Sequence, residues 1–150
     1  MQTVIEDLRR AIDEAAAQFA QLNDAETSAP LAADKWSRKQ LLGHLIDSAA
    51  NNHQRFVRAQ KTDALTMPGY EQNHWVSSQG YQDADWSHLV ALWTHLNLHL
   101  ADVIARIPPS KYSVPCTIGG DAPVPLEAIV VGYRDHLHHH MAQIRERLRG

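Results

Sequence analysis

The sequence predicts an all-α protein: a four-helix bundle with long crossover loops and a small hairpin-like excursion before the last helix. Three observations predict it. Apolar residues recur at alternating spacings of three and four in four stretches of about 20 residues, the period of an amphipathic helix. Pro30, Pro68 and the Pro108-Pro109 pair fall in the breaks between those stretches. Two of the three connections are long enough to cross the end of a bundle of ~30 Å helices. At 150 residues the chain has the size of one ordinary domain, and residues 1–150 are read as a single one.

The first helix is read over residues 2–22, where Ile5, Leu8, Ile12, Ala15, Phe19 and Leu22 form one apolar stripe. The stretch 23–34 breaks the pattern. Ser37, after Lys35-Trp36, is a good N-cap for a second helix running to about residue 60, with Leu42, Leu45, Ala49 and Phe56 on its apolar face. Residues 61–83 read as a long loop. Loops of ~20 residues are uncommon in compact domains and often functional, and this one carries Tyr70, Trp75 and Tyr81, candidates for the mouth of a site. The third helix follows Asp83 or Asp85 as cap. Leu89, Trp93, Leu96, Leu100, Val103 and Ile107 make its row, and Pro108-Pro109 ends it. Residues 111–125 read as a hairpin around Gly119-Gly120-Asp121. The fourth helix is placed over 126–148, with Leu126, Val130, Tyr133, Leu137, His140 and Ile144 inward.

Composition excludes several classes. The formal charge of -3 argues against a nucleic-acid partner, which usually meets a basic face. A single cysteine, Cys116, excludes a disulfide framework or a Cys-rich zinc knuckle. No apolar run approaches the ~18–20 residues of a membrane span, and the first residues lack a signal-peptide pattern, so a cytoplasmic protein without membrane contact is expected. There is no GxSxG elbow, no Walker loop and no GxGxxG.

The unusual feature is ten histidines, four of them between positions 136 and 140. His136 and His140 are four apart, one helical turn from each other on one face, the spacing that lets two imidazoles grip one ion. That face also holds Ile129, Tyr133 and Ile144, which puts the pair on the core side. His138 and His139 point away from it. On the second helix His44, Ser48, Asn51 and Arg55 fall within about 40° of one another, with Asp47 at the border. A polar stripe on a core-forming helix is costly unless its groups are paired or functional. Either it is a buried hydrogen-bonded network, or His44 faces His136 and His140 as a third ligand. His88, His95 and His99 share a face of the third helix, about one residue off its apolar row, and read as boundary or solvent-facing residues or part of a dimer contact. Cys116 reads as a structural thiol.

These residues resemble the DinB-like metal-binding four-helix bundles, and within them most closely the branch of bacillithiol S-transferase-type proteins. The resemblance lies in Trp36-Ser37, Leu42-Gly43-His44-Leu45-Ile46-Asp47-Ser48, Asn51, Arg55-Phe56, Gly69-Tyr70-Glu71 with Trp75, and Tyr133 with the His136–His140 run and Ala142 and Ile144. It covers about residues 35–145; the first helix matches in length and pattern only. It implies a divalent metal on His44, His136 and His140, a homodimer, and transfer of a low-molecular-weight thiol to a small-molecule substrate; imidazole ligands suit Zn, Ni, Cu and Fe, of which Zn is favoured, with Ni the alternative after recombinant production. A metal-dependent hydrolase and a non-catalytic metal-binding stress protein are the alternatives. Three His leave an open coordination position, as catalytic sites do. Metal-bound His pass their second N–H to an acceptor, for which Asp47, Asn51 and Gln143 are candidates; Asp47 is too near His44 in sequence to pair with it freely. Arg55, about 17 Å along the helix from His44, suits an acidic substrate group or a buried carboxylate. Tyr133 is a further pocket candidate.

Overall fold

The computed structural model describes residues 1–146. Its elements are α1 (Gln2–Phe19), α2 (Asp24–Ser28), α3 (Arg38–Ala59), β1 (Leu65–Met67), α4 (Gln72–Ser78), α5 (Trp86–Ala105), β2 (Pro115–Ile118), β3 (Val124–Pro125) and α6 (Leu126–Arg145). The long helices α1, α3, α5 and α6 are the four predicted ones. The expected end of the last helix near Leu148 lies outside the described residues. Among the described residues no helix is long and apolar enough to cross a membrane.

Three of the helix starts have a local cause. The Ser37 hydroxyl accepts from Gln40 N–H while the Gln40 side chain accepts from Ser37 N–H, a full capping box on α3. Asp85, not Asp83, caps α5 through Ser87 N–H. Asn23 caps the short α2 by accepting from Glu26 N–H, so the predicted break at 23–34 contains a helical turn.

The arrangement is not a simple up-and-down bundle. α1 packs against α5 and α6, and α3 packs against the same two. Helices consecutive in the chain, α1 with α3 and α5 with α6, therefore lie on the diagonals, and the connections cross the ends. α3 and α6 run antiparallel. Arg38, buried at the start of α3, donates from Nε to the Ile144 carbonyl at 2.8 Å and from Nη1 to the Glu26 carbonyl. A cation at the last carbonyls of a helix satisfies acceptors that the helix itself leaves open.

The predicted stripe of α1 is buried throughout. Two other rows shift. α5, held between α1 and α3, buries Trp86, Val90, Asn97 and Ile104 beside Leu89, Trp93 and Leu100, while Leu96 and Val103 are only partly covered. In α6 the inward position predicted for His140 belongs to Met141, and His140 is half-buried at the edge of the core. Tyr133, on the diagonal from α5, donates its hydroxyl to the Asn97 carboxamide, which satisfies two polar groups inside the bundle.

Two connections hold more structure than expected. β2 and β3 form the predicted antiparallel hairpin. Gly119 and Gly120 both take positive φ, and Asp121 N–H returns to the Ile118 carbonyl, as a primed turn requires. The segment 61–83, expected as a loop, contributes β1 and α4. β1 pairs parallel to β2, Leu65 with Cys116 and Met67 with Ile118. The physical reason is apolar content: Leu65, Val76 and Tyr81 are buried, and a segment that buries side chains must also satisfy its backbone.

Tyr81 lies against α3 where Gly43 has no side chain, and a Cβ at Gly43 would overlap the Tyr81 ring. Replacing Gly43 with Ala is expected to lower unfolding free energy by about 1–3 kcal/mol, the usual cost of overpacking. Chemical denaturation of both proteins checks this; an unchanged midpoint would mean that the tyrosine does not constrain this helix.

Candidate metal centre

The antiparallel seam of α3 and α6 brings one turn of each helix together. His44 enters from α3, His136 and His140 from α6. One ring nitrogen from each lies within 4.8 Å of the others, and these three form a group that could hold a metal ion. His44 Nε2 and His136 Nε2 face each other at 3.0 Å. The ring of His140 stands edge-on to both, with centroids 4.8 Å from His44 and 4.5 Å from His136.

The donor chemistry fits a divalent ion. Burial pulls the pKa of His44 down to about 4, reinforced by the neighbouring His136 and His140. Burial, then His140 and His139, bring His136 to about 4. His140 is lowered too, by burial, against the opposing pull of its hydrogen bond to Gln143. All three are therefore neutral near pH 7, as ligation requires. His140 Nδ1–H donates to Gln143 Oε1 at 2.7 Å, which leaves Nε2 unprotonated and turned to the other two rings. His44 Nδ1 is buried without a hydrogen-bond partner among the described residues, so Nε2 is the nitrogen it directs to the group.

The other residues singled out in the sequence fall in several places. Gln143 sits behind His140 as described. Asp47 is buried, and its Oδ1 accepts from the Tyr81 hydroxyl and from Gln79 Nε2, both at 2.7 Å. Burial raises its pKa, and those two donors hold it down. Asp47 thus anchors the connection after α4 to α3 and has no hydrogen bond to a histidine among the described residues. Asn51 donates to the Asp47 carbonyl of its own helix at 2.9 Å, and its neighbour Asn52 takes the inward position instead. Tyr133 turns its hydroxyl to Asn97, and burial drives its pKa up. Tyr81, expected at a mouth, is buried beneath α4. His88, His95 and His99 are exposed; the His99 ring lies 5.4 Å from that of His53. Cys116 is buried in β2, with its pKa raised by burial.

Two cavities flank the histidines. The larger, about 630 Å³, reaches His140 and Gln143 and is walled by Trp36, Leu31, Leu41 and Asn73 among others. The smaller, about 280 Å³, reaches His136 and is lined by Ser48, Asn52, Arg55, Tyr70 and Tyr133. Trp36, whose ring lies 5.1 Å from His44, had no place among the candidate site residues. Its position one residue before the N-cap of α3, about two turns ahead of His44, was the available signal.

The chain is similar to known proteins in sequence and in fold. OB0413 of Oceanobacillus iheyensis, whose name provisionally makes it a metal-dependent hydrolase, is 35% identical over 54 residues, 36% of this chain and 31% of that protein. The chain thus aligns with about a third of the length of that relative. YfiT from Bacillus subtilis, reported as "a probable metal-dependent hydrolase with an unusual four-helix bundle topology", superposes with a TM-score of 0.85 over 98% of this chain and 86% of its own, at 20% identity. At that identity the likeness is one of fold, and the diagonal packing of consecutive helices is part of it. A model of the DinB superfamily matches residues 7–144, a span that takes in both the helix bearing His44 and the helix bearing His136 and His140. The chain belongs to the DinB superfamily.

Proposed function

We propose that this protein is a metal-dependent enzyme of small molecules. His44, His136 and His140 hold one divalent ion, and a low-molecular-weight thiol is transferred to an electrophile at its open position. The observation that carries this reading is the donor set: three convergent neutral imidazoles, with no fourth acidic or thiol ligand in the group among the described residues. Three protein ligands are the pattern of catalytic zinc, four that of structural zinc. Such an ion acts as a Lewis acid and favours the deprotonated form of a thiol or water. Imidazole nitrogens suit Zn, Ni, Cu and Fe; Zn is favoured, with Ni expected after recombinant production.

The remaining parts have roles that follow from their places. Gln143 orients His140 and sets its tautomer. Trp36, Leu31 and Leu41 offer the substrate an apolar wall. Cys116 is buried and lines neither cavity, so an attacking sulfur has to come from a small thiol of the kind used by the bacillithiol branch. Hydrolysis is the second reading, favoured by the names of both relatives. A panel of thiols and electrophiles, run beside esters and amides without thiol, separates the two: turnover that requires the thiol supports transfer, and turnover without it supports hydrolysis. A homodimer and a cytoplasmic location belong to the same proposal; sedimentation velocity checks the first.

Three outcomes are expected. Plasma mass spectrometry of protein purified without a His tag should find about one ion per chain. His44→Ala, His136→Ala and His140→Ala should lose it, and His95→Ala and His99→Ala should keep it; retention in all three of the former would overturn the ligand set. Gln143→Ala should weaken metal binding roughly 10- to 100-fold, the usual effect of removing the group behind a ligand, with little change in melting temperature, as competition with a chromogenic chelator can measure. Proton competition follows from the lowered pKa values. His44 and His136 stay neutral until the pH falls to about 4, so dialysis at pH 6 should leave the ion bound and dialysis through about pH 4 should remove it. Release already complete at pH 6 would mean ordinary, solvated imidazoles.

A further inference from the structure

Arg55 projects from α3 three turns beyond His44, yet the fold returns it to the histidines. α6 runs back along α3, so the turn of α6 before His136 lies over Arg55. The cavity of about 280 Å³ there has Arg55 and His136 in the same lining, with Tyr70, Ser48 and Asn52. Its size is at the lower end of small-molecule pockets. Tyr70 reaches it because β1 pairs with β2 and Gly119 N–H holds the Met67 carbonyl at 2.9 Å, just before Pro68-Gly69-Tyr70. The Tyr70 ring is in turn backed by Trp75, centroid to centroid 5.3 Å.

Among the described residues the guanidinium of Arg55 lacks a counter-ion. Arg55 is half-buried, and among the described residues its group makes no ion pair within 4.0 Å. Its hydrogen bond to Asn52 Oδ1 is long, at 3.4 Å. The buried carboxylate of the same helix, Asp47, is held by Tyr81 and Gln79 instead. A half-buried charge without a counter-ion is costly, and a guanidinium fork matches a carboxylate in two parallel bonds. The rest of the lining is neutral: two tyrosines, a serine, a carboxamide and an imidazole, beside Ala128, Ile129 and Gly132. One positive charge suits a single carboxylate group, which carries one negative charge; a phosphate dianion carries two on one group and would call for a second cation, and the lining has none.

We infer that this cavity is a carboxylate subsite, in which Arg55, with Tyr70 and Ser48 beside it, receives a carboxylate of the small molecule whose reacting end lies at His44, His136 and His140. The second half of that statement rests on the proposed function; the first does not.

The test titrates the full chain, metal-free and zinc-loaded, with succinate, with uncharged succinamide and with inorganic phosphate, following the Tyr70 ring resonances by NMR. In both forms succinate is expected to bind roughly tenfold or more tighter than succinamide, as a charge-assisted pair predicts, and to shift Tyr70. R55Q should abolish the preference, and R55K, which keeps the charge but loses the fork, should retain part of it. Equal binding of succinate and succinamide, a preference that survives in R55Q, or phosphate binding tighter than succinate would each overturn the assignment. Should R55Q not fold, the wild type still decides: succinate that leaves Tyr70 unshifted is bound elsewhere, and the subsite is refuted. An anion preference in a chain that takes up no zinc would uphold the subsite and sink the metal reading. Zinc uptake without the preference would do the reverse.

Discussion

The antiparallel seam between α3 and α6 is the constraint on which the rest depends. Its register is pinned at one end by Arg38, which donates to the Ile144 carbonyl from a buried position. From that pin, each step up α3 meets an equal step down α6. His44 meets His136 and His140, and Arg55 comes to lie under the turn before them. A slip of one residue along either helix would rotate the facing side chains by about 100° and separate the three imidazoles. The diagonal placement of α1 and α3 leaves α3 free to pair with α6 along this length, and α5 closes its other flank.

Much of this was legible in the sequence because periodicity reports on faces. The four long helices, the Ser37 start and the hairpin turn follow from spacing and cap chemistry alone, and His136 with His140 was visible as a turn-spaced pair. His44 was legible as the polar break in an apolar face. What stayed hidden was what depends on neighbours. Asn51 and Asn52 differ by one step, and only the direction of α6 decides that Asn52 faces inward. Met141 displaces His140 from the core because α6 touches two helices, not one. The strand at 65–67 has too few residues to show a period, and its partner lies about fifty residues away. The nearness of Arg55 to His136 required the handedness of a whole connection.

The site is set against the stability of the fold that carries it. α3 buries His44, Asp47, Ser48 and Asn52, where apolar side chains would stabilise the bundle more. Each such group either finds a partner or costs free energy. Asp47 finds Tyr81 and Gln79, and in doing so fastens the connection after α4 to the helix that bears His44. Asn52 turns to the Ser48 carbonyl. The histidines find chiefly one another, which keeps them neutral and close.

The wall that carries Tyr70 hangs from the small sheet, not from a helix. β1 and β2 hold it by backbone pairing, with Gly69 against Gly119 where the two chains approach. Backbone pairing is largely indifferent to side-chain identity, and the connections around it are surface segments of the kind that vary most among relatives. Descendants of such a chain can therefore reshape one wall of the smaller cavity by altering a few residues beyond Met67, while the three imidazoles and the helices behind them stay as they are. The Tyr70 wall can thus change apart from the helices that carry Arg55 and the three imidazoles.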